Sequence, residues 1–140
     1  MWKTETTTLS IASPKEIWNL WADVTNWNRW DQAVVASELN GAFQAGTSGA
    51  LIPNGSPKAA FELVEVAPCQ RFVVHTRPPL ATLIFRHELT PEGMQTRITH
   101  QVEIVGPLSG LFARFMGKSL MEGLPLAVKR LAYLAEGGDA

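Results

Sequence analysis

The segment Pro107–Glu136 places the tightest constraint on what this chain can fold into. Leu108, Leu111, Phe112, Phe115, Met116, Leu120, Leu124, Val128, Leu131 and Leu134 recur there at steps of one, three or four, the period of one long amphipathic helix. Such a helix must lay its apolar face on something. Gly117, Gly123 and Pro125 fall inside it. Proline removes a helical hydrogen bond and crowds the preceding turn, so a kink is expected near Met121–Leu124.

The preceding residues supply the surface. Glycine and proline recur at short intervals from Gly41 to Pro107, and the runs between them have strand length: Val34–Asn40, Thr47–Ile52, Ala59–Val66, Arg71–Thr76, Ala81–Leu89 and Gln95–Val105. Hairpins are expected at Pro53–Asn54–Gly55 and at Thr90–Pro91–Glu92–Gly93. Thr4–Ala12 reads as a strand, with Leu9 and Ile11 two apart. Ser13–Pro14 then opens a short helix, with Ser13 as cap and Glu16 completing a capping box. Its apolar face is Ile17, Trp18, Leu20 and Trp21. Asp23 to Trp30 reads as a second short helix. One antiparallel sheet covered by one long helix is an α+β arrangement, and 140 residues suit a single domain, 1–140.

Strand parity selects an inner face. Thr96, Ile98, His100, Val102 and Ile104 alternate with Arg97, Thr99, Gln101 and Glu103, so the first set points inward. The same reasoning groups Leu83, Phe85, His87 and Leu89, then Phe72 and Val74, then Phe61 and Leu63. His87 and His100 therefore point inward on neighbouring strands. Counting back from the expected turn sets them diagonally, and His75 faces solvent.

Twelve basic against thirteen acidic residues give a net charge of −1, which excludes nucleic-acid or anionic-membrane binding by bulk charge, although a local patch stays possible. The lone Cys69 excludes an internal disulfide and a cysteine-based zinc site. No HxxxH or HExxH motif occurs, so no metal and no cofactor are expected. No apolar leader and no run of about 18 apolar residues is present, so a cytoplasmic protein without integral membrane association is expected.

The motifs taken in order resemble a known superfamily. Ser13–Pro14, Ile17–Trp18, Asp23, Trp27 and Trp30–Asp31 resemble the N-terminal signature of the START-related SRPBCC proteins, also called the polyketide cyclase/dehydrase and lipid-transport superfamily. Phe61–Pro68 resembles its central strand and turn, and Val128–Glu136 its helix end. The resemblance implies a helix-grip fold: a curved seven-stranded antiparallel sheet with two short helices after the first strand, gripping the C-terminal helix around an apolar cavity. It carries over no universal catalytic residue.

Combined with parity, this gives an expected cavity lining of Phe61, Leu63, Phe72, Val74, Phe85, His87, Ile98, His100, Val102, Phe112, Phe115, Met116 and Leu120, with Trp21, Trp27 and Trp30 at its rim. The leading expectation is binding or carriage of a small hydrophobic molecule (lipid, polyketide, quinone or aromatic compound) by a monomer or homodimer. A cyclase or dehydratase using His87 or His100 as acid/base is the alternative. A protein-interaction module, presenting an apolar patch around Trp21 and Trp30, is a third.

Overall fold

The computed structural model describes residues 1–139. Seven strands form one antiparallel sheet: β1 (Trp2–Ser10), β2 (Val34–Leu39), β3 (Ser48–Pro53), β4 (Ala59–Ala67), β5 (Arg71–Thr76), β6 (Thr82–Glu92) and β7 (Gln95–Val105). Their spatial order is β1-β7-β6-β5-β4-β3-β2. The chain leaves β1 at one edge, and helix α1 (Pro14–Ala22) with a 3-10 helix (Val24–Arg29) carries it to β2 at the other. The remaining strands meander back until β7 pairs with β1, and the long helix α2 (Ser109–Ala135) closes the chain. The helix-grip architecture expected from the sequence is the one found.

Local chemistry explains the element ends. Ser13 Oγ accepts from the Glu16 amide, Glu16 returns a carboxylate to the Ser13 amide at 3.0 Å, and Pro14 occupies the first turn. α2 is continuous through Gly117, Gly123 and Pro125. Gly49 in β3 has its own reason: a Cβ there would stand 2.4 Å from the Glu38 carbonyl oxygen and 2.5 Å from Phe61.

Two expectations need correction. First, the β6–β7 hairpin is tighter than the proline suggests. Glu92 pairs with Gln95 and Pro91 stays in the ladder opposite Thr96, leaving Gly93 and Met94 as the turn. Gly93 has φ +66°, and glycine at the first position of a two-residue turn is what a type II′ turn needs. This register places His87 directly opposite His100, not diagonally. Second, β1 begins at Trp2, and Leu9 and Ile11 are exposed. Its inner face is instead Trp2, Thr4, Thr6, Thr8 and Ser10.

The core fills the C-terminal half of α2 more than its N-terminal half. Ala127, Val128, Leu131, Ala132, Leu134 and Ala135 are buried, whereas Ser109 and Gly117 are the buried residues of the first half. Gly117 is pressed by Trp2, whose indole would lie 3.2 Å from an added Cβ. The far end of α2 is pinned by Glu136. Its Oε2 accepts from Ser10 Oγ at 2.6 Å and from the Ile11 amide at 3.3 Å.

Removing that acceptor strands a partly buried hydroxyl and frees the helix end from β1. Glu136→Ala is expected to lower unfolding free energy by about 1–3 kcal/mol, with Glu136→Gln, which keeps one acceptor oxygen, costing less. Urea midpoints measure this; coincident curves for wild type and Glu136→Ala would remove the clamp from the account.

Candidate functional site

The ladder registers align inward residues into rows across the sheet. One row runs Thr6, His100, His87, Phe72 and Val66 from β1 through β4. The next runs Thr4, Val102, Phe85, Val74 and Leu63. None of these residues is charged. The arginines of β5, β6 and β7 sit on the outer face, where Arg86 pairs with Glu103 at 2.7 Å and Arg97 with Glu92 at 2.6 Å.

The short helices deliver aromatic rings onto the histidine row. α1 presents Ile17, Trp18 and Trp21 on one face because these positions are one, three and four apart. Trp21 is fully buried, with its ring centroid 5.7 Å from His87 and 5.8 Å from His100. Trp30 lies 5.6 Å from His100. Phe72 stacks flat on His87, with centroids 3.9 Å apart and planes within 3°, and the two histidines stand 4.8 Å apart. Trp18, Trp27 and Phe43 pack around Phe72 at 6.2, 6.2 and 5.2 Å.

The tryptophans expected at a rim are thus the walls of the interior: Trp21, Trp27 and Trp30 are all buried. Trp21 and Trp30 are themselves too buried to present the apolar surface expected of an interaction module. Of the expected lining, Phe61, Leu63, Phe72, Val74, Ile98, His100 and Val102 are buried on the inner face. Phe85 and His87 point inward but are only half-buried. Phe112, Met116 and Leu120 of α2 are likewise half-buried. Phe115 is 78% exposed and lies on the outside of α2, because one residue's rotation from Met116 carries it off the inner face. Surface hollows lie elsewhere. One of about 150 Å³ is lined by Ala36, Glu38, Ile52 and Lys58, and one of about 50 Å³ by Glu5, Arg86 and Glu88.

Both histidines are held neutral. Burial pushes His87 down to about 3, with its hydrogen bond to the Phe72 carbonyl opposing. Burial also drives His100 well below the usual histidine value, and the charge His87 would carry drives it further. Nδ1 of His87 lies 3.3 Å from the Phe72 carbonyl oxygen, which can only accept. That assigns the proton to Nδ1 and leaves Nε2 bare.

Three ring nitrogens in this cluster are buried without a hydrogen-bond partner among the described residues: Trp21 Nε1, Trp30 Nε1 and His100 Nε2. The indole nitrogens are obligate donors. Leaving such a group dry and unpaired costs about 1–3 kcal/mol. By contrast Trp27 Nε1 donates to the Trp21 carbonyl at 2.8 Å. That three unpaired polar atoms fall within one uncharged cluster of rings was not legible from parity. Nor was the part of Phe43, which reaches the cluster from the β2–β3 loop. The alternating Thr4, Thr6, Thr8 did carry a signal for the inner face of β1.

The depressed histidines set a pH dependence. A histidine with a folded pKa below its unfolded 6.5 stabilises fully above that value and loses the contribution as pH falls, because only the unfolded chain takes up the proton. Between pH 6.5 and about 3, His87 is expected to add up to about 1.4 kcal/mol of lost stability per pH unit. His87→Phe, which keeps a ring on Phe72, should flatten the profile of urea stability against pH in that window. An unchanged slope would mean that His87 is protonated in the folded protein.

The polyketide cyclase/dehydrase and lipid-transport family model matches residues 1–136. No curated protein matches the chain. Among solved structures, protein MLL2253 from Mesorhizobium loti is 14% identical, with a TM-score of 0.77 over 99% of this chain and 100% of that one. Norcoclaurine synthase from Thalictrum flavum is 13% identical, with a TM-score of 0.73 over 97% and 87%. The di-domain ARO/CYC StfQ of the steffimycin biosynthetic pathway is 12% identical, with a TM-score of 0.77 over 96% of this chain and 50% of that one. At these identities the likeness is one of fold.

Proposed function

The chain belongs to the polyketide cyclase/dehydrase and lipid-transport family, and from that premise we propose that it binds or carries a small apolar ring compound against the inner face of its sheet. The observation that carries this reading is the set of three unpartnered buried nitrogens on Trp21, Trp30 and His100. A ligand with one acceptor oxygen, such as a ketone or phenol, would satisfy at least one of them. Its rings would pack among Phe72, Phe85 and the indoles. Half-buried Phe85 and His87 mark where the inner face is reached, and half-buried Phe112, Met116 and Leu120 stand on the helix that covers it.

The lining is uncharged, so a neutral ligand suits it better than a carboxylate, whose desolvation nothing there would offset. The histidines favour holding over proton transfer. A base works best with a pKa near the working pH, and His87 at about 3 is a weak one.

The test uses two probes of one shape, 9-fluorenone and fluorene, which differ by a carbonyl. Quenching of the tryptophan fluorescence reads binding. Fluorenone is expected to bind about tenfold more tightly, the worth of roughly one hydrogen bond, and Trp30→Phe, which removes an obligate indole donor, should erase much of that difference while fluorene binding persists. Absence of quenching by both probes, with no adduct in native mass spectrometry, would overturn the reading.

A further inference from the structure

The N-terminal half of α2 has a second face, and it is bare. Phe115 is 78% exposed and Leu111 47%. Beside them lies Leu80 in the β5–β6 loop, 63% exposed, whose carbonyl accepts the Leu108 amide at 3.0 Å and so fixes the loop against the start of the helix. Leu80 has φ +61°, a left-handed conformation that costs a branched residue free energy. Strain in the backbone and an exposed leucine thus coincide at this position.

Over its first three turns this face carries only basic charge, and exposed Glu122 ends that run one turn after Lys118. From Gly106 to Met121 the charged residues are Arg114 and Lys118, with no acid before Glu122, and Pro78–Thr82 carries no charge. Arg114 and Lys118 are exposed, lie four apart on the helix, and pair with no carboxylate among the described residues. Like charges at this spacing repel, and an anion between them would relieve that.

We propose that this face docks on an anionic lipid bilayer, with Phe115, Leu111 and Leu80 entering the interface and Arg114 and Lys118 meeting headgroup phosphates. Charge decides the occupant. In a two-fold dimer the same patch meets itself, so a second copy brings to Arg114 and Lys118 the same two cations and the single Glu122. A lipid surface offers apolar depth and negative charge together. The mode is surface binding: among the described residues no helix is long and apolar enough to cross a membrane. It is also independent of bulk charge, which is −1.

The experiment is sedimentation with vesicles of phosphatidylcholine alone and of phosphatidylcholine with a quarter phosphatidylglycerol, in low and high salt. Binding is expected to the anionic vesicles, weakened by salt. Phe115→Ser should reduce it about tenfold, and the double variant Arg114→Gln, Lys118→Gln about tenfold or more. These residues are exposed, so urea midpoints should be unchanged, and His100→Phe should leave vesicle binding intact. The proposal is overturned if anionic vesicles bring down no protein, or if phosphatidylcholine alone does so equally and neither variant matters. A concentration-dependent dimer in light scattering that Phe115→Ser dissociates, without vesicle binding, would also overturn it and make a second copy the occupant.

Discussion

Two imidazoles side by side inside a sheet have to be uncharged, and that constraint organises the rest of the molecule. The β6–β7 register sets His87 against His100, with ring centroids 4.8 Å apart. If both carried charge, they would repel in a medium that also withholds hydration. The surroundings answer with rings: Phe72 flat on His87, Trp21 against both, Trp30 against His100. The formal charges on the central strands are turned outward, where Arg71 pairs with Glu65, Arg86 with Glu103 and Arg97 with Glu92. The result is an interior that offers hydrogen bonds but no ions.

That arrangement explains the path of the chain between β1 and β2. A link across the sheet from edge to edge is long, and here it does two jobs. α1 and the 3-10 helix span the distance, and they also bring Trp18, Trp21, Trp27 and Trp30 over the histidine row. Trp27 shows how the indoles are held, since it donates to the Trp21 carbonyl. Trp21 and Trp30 have no such partner. Each unpaired indole costs stability, and in the proposed function these two are the donors that a ligand would satisfy.

Much of this was legible in the sequence, and the parts that were not share a cause. Alternation in Gln95–Val105 names the inner face because one face is buried and period two is strict. The capping box at Ser13 and the helical period after Pro107 are local signals, and both read correctly. The histidine register depended on which residue makes the hairpin turn. Proline dominated that reading, although positive φ at Gly93 decides it. The tryptophans looked like a rim because a helix wheel shows which residues share a face, not what the face meets. Phe115 was misplaced for a related reason. In a run this rich in apolar residues, periodicity names several stripes at once, and only tertiary packing shows which one is covered.

The two halves of α2 therefore differ in kind. The C-terminal half is bound on all sides that matter: Val128 and Leu131 are fully buried, and Glu136 fastens the end to Ser10 and Ile11. The N-terminal half has Gly117 under Trp2 as its one tight contact, half-buried residues on the inner side and bare apolar residues on the outer. Local opening follows the fewest buried contacts. The N-terminal turns of α2 are therefore the less firmly held part of the cover over the inner face. The inward Phe112, Met116 and Leu120 and the outward Leu111 and Phe115 belong to the same three turns. Whatever contacts the outer stripe therefore bears on the same turns that cover the inner one.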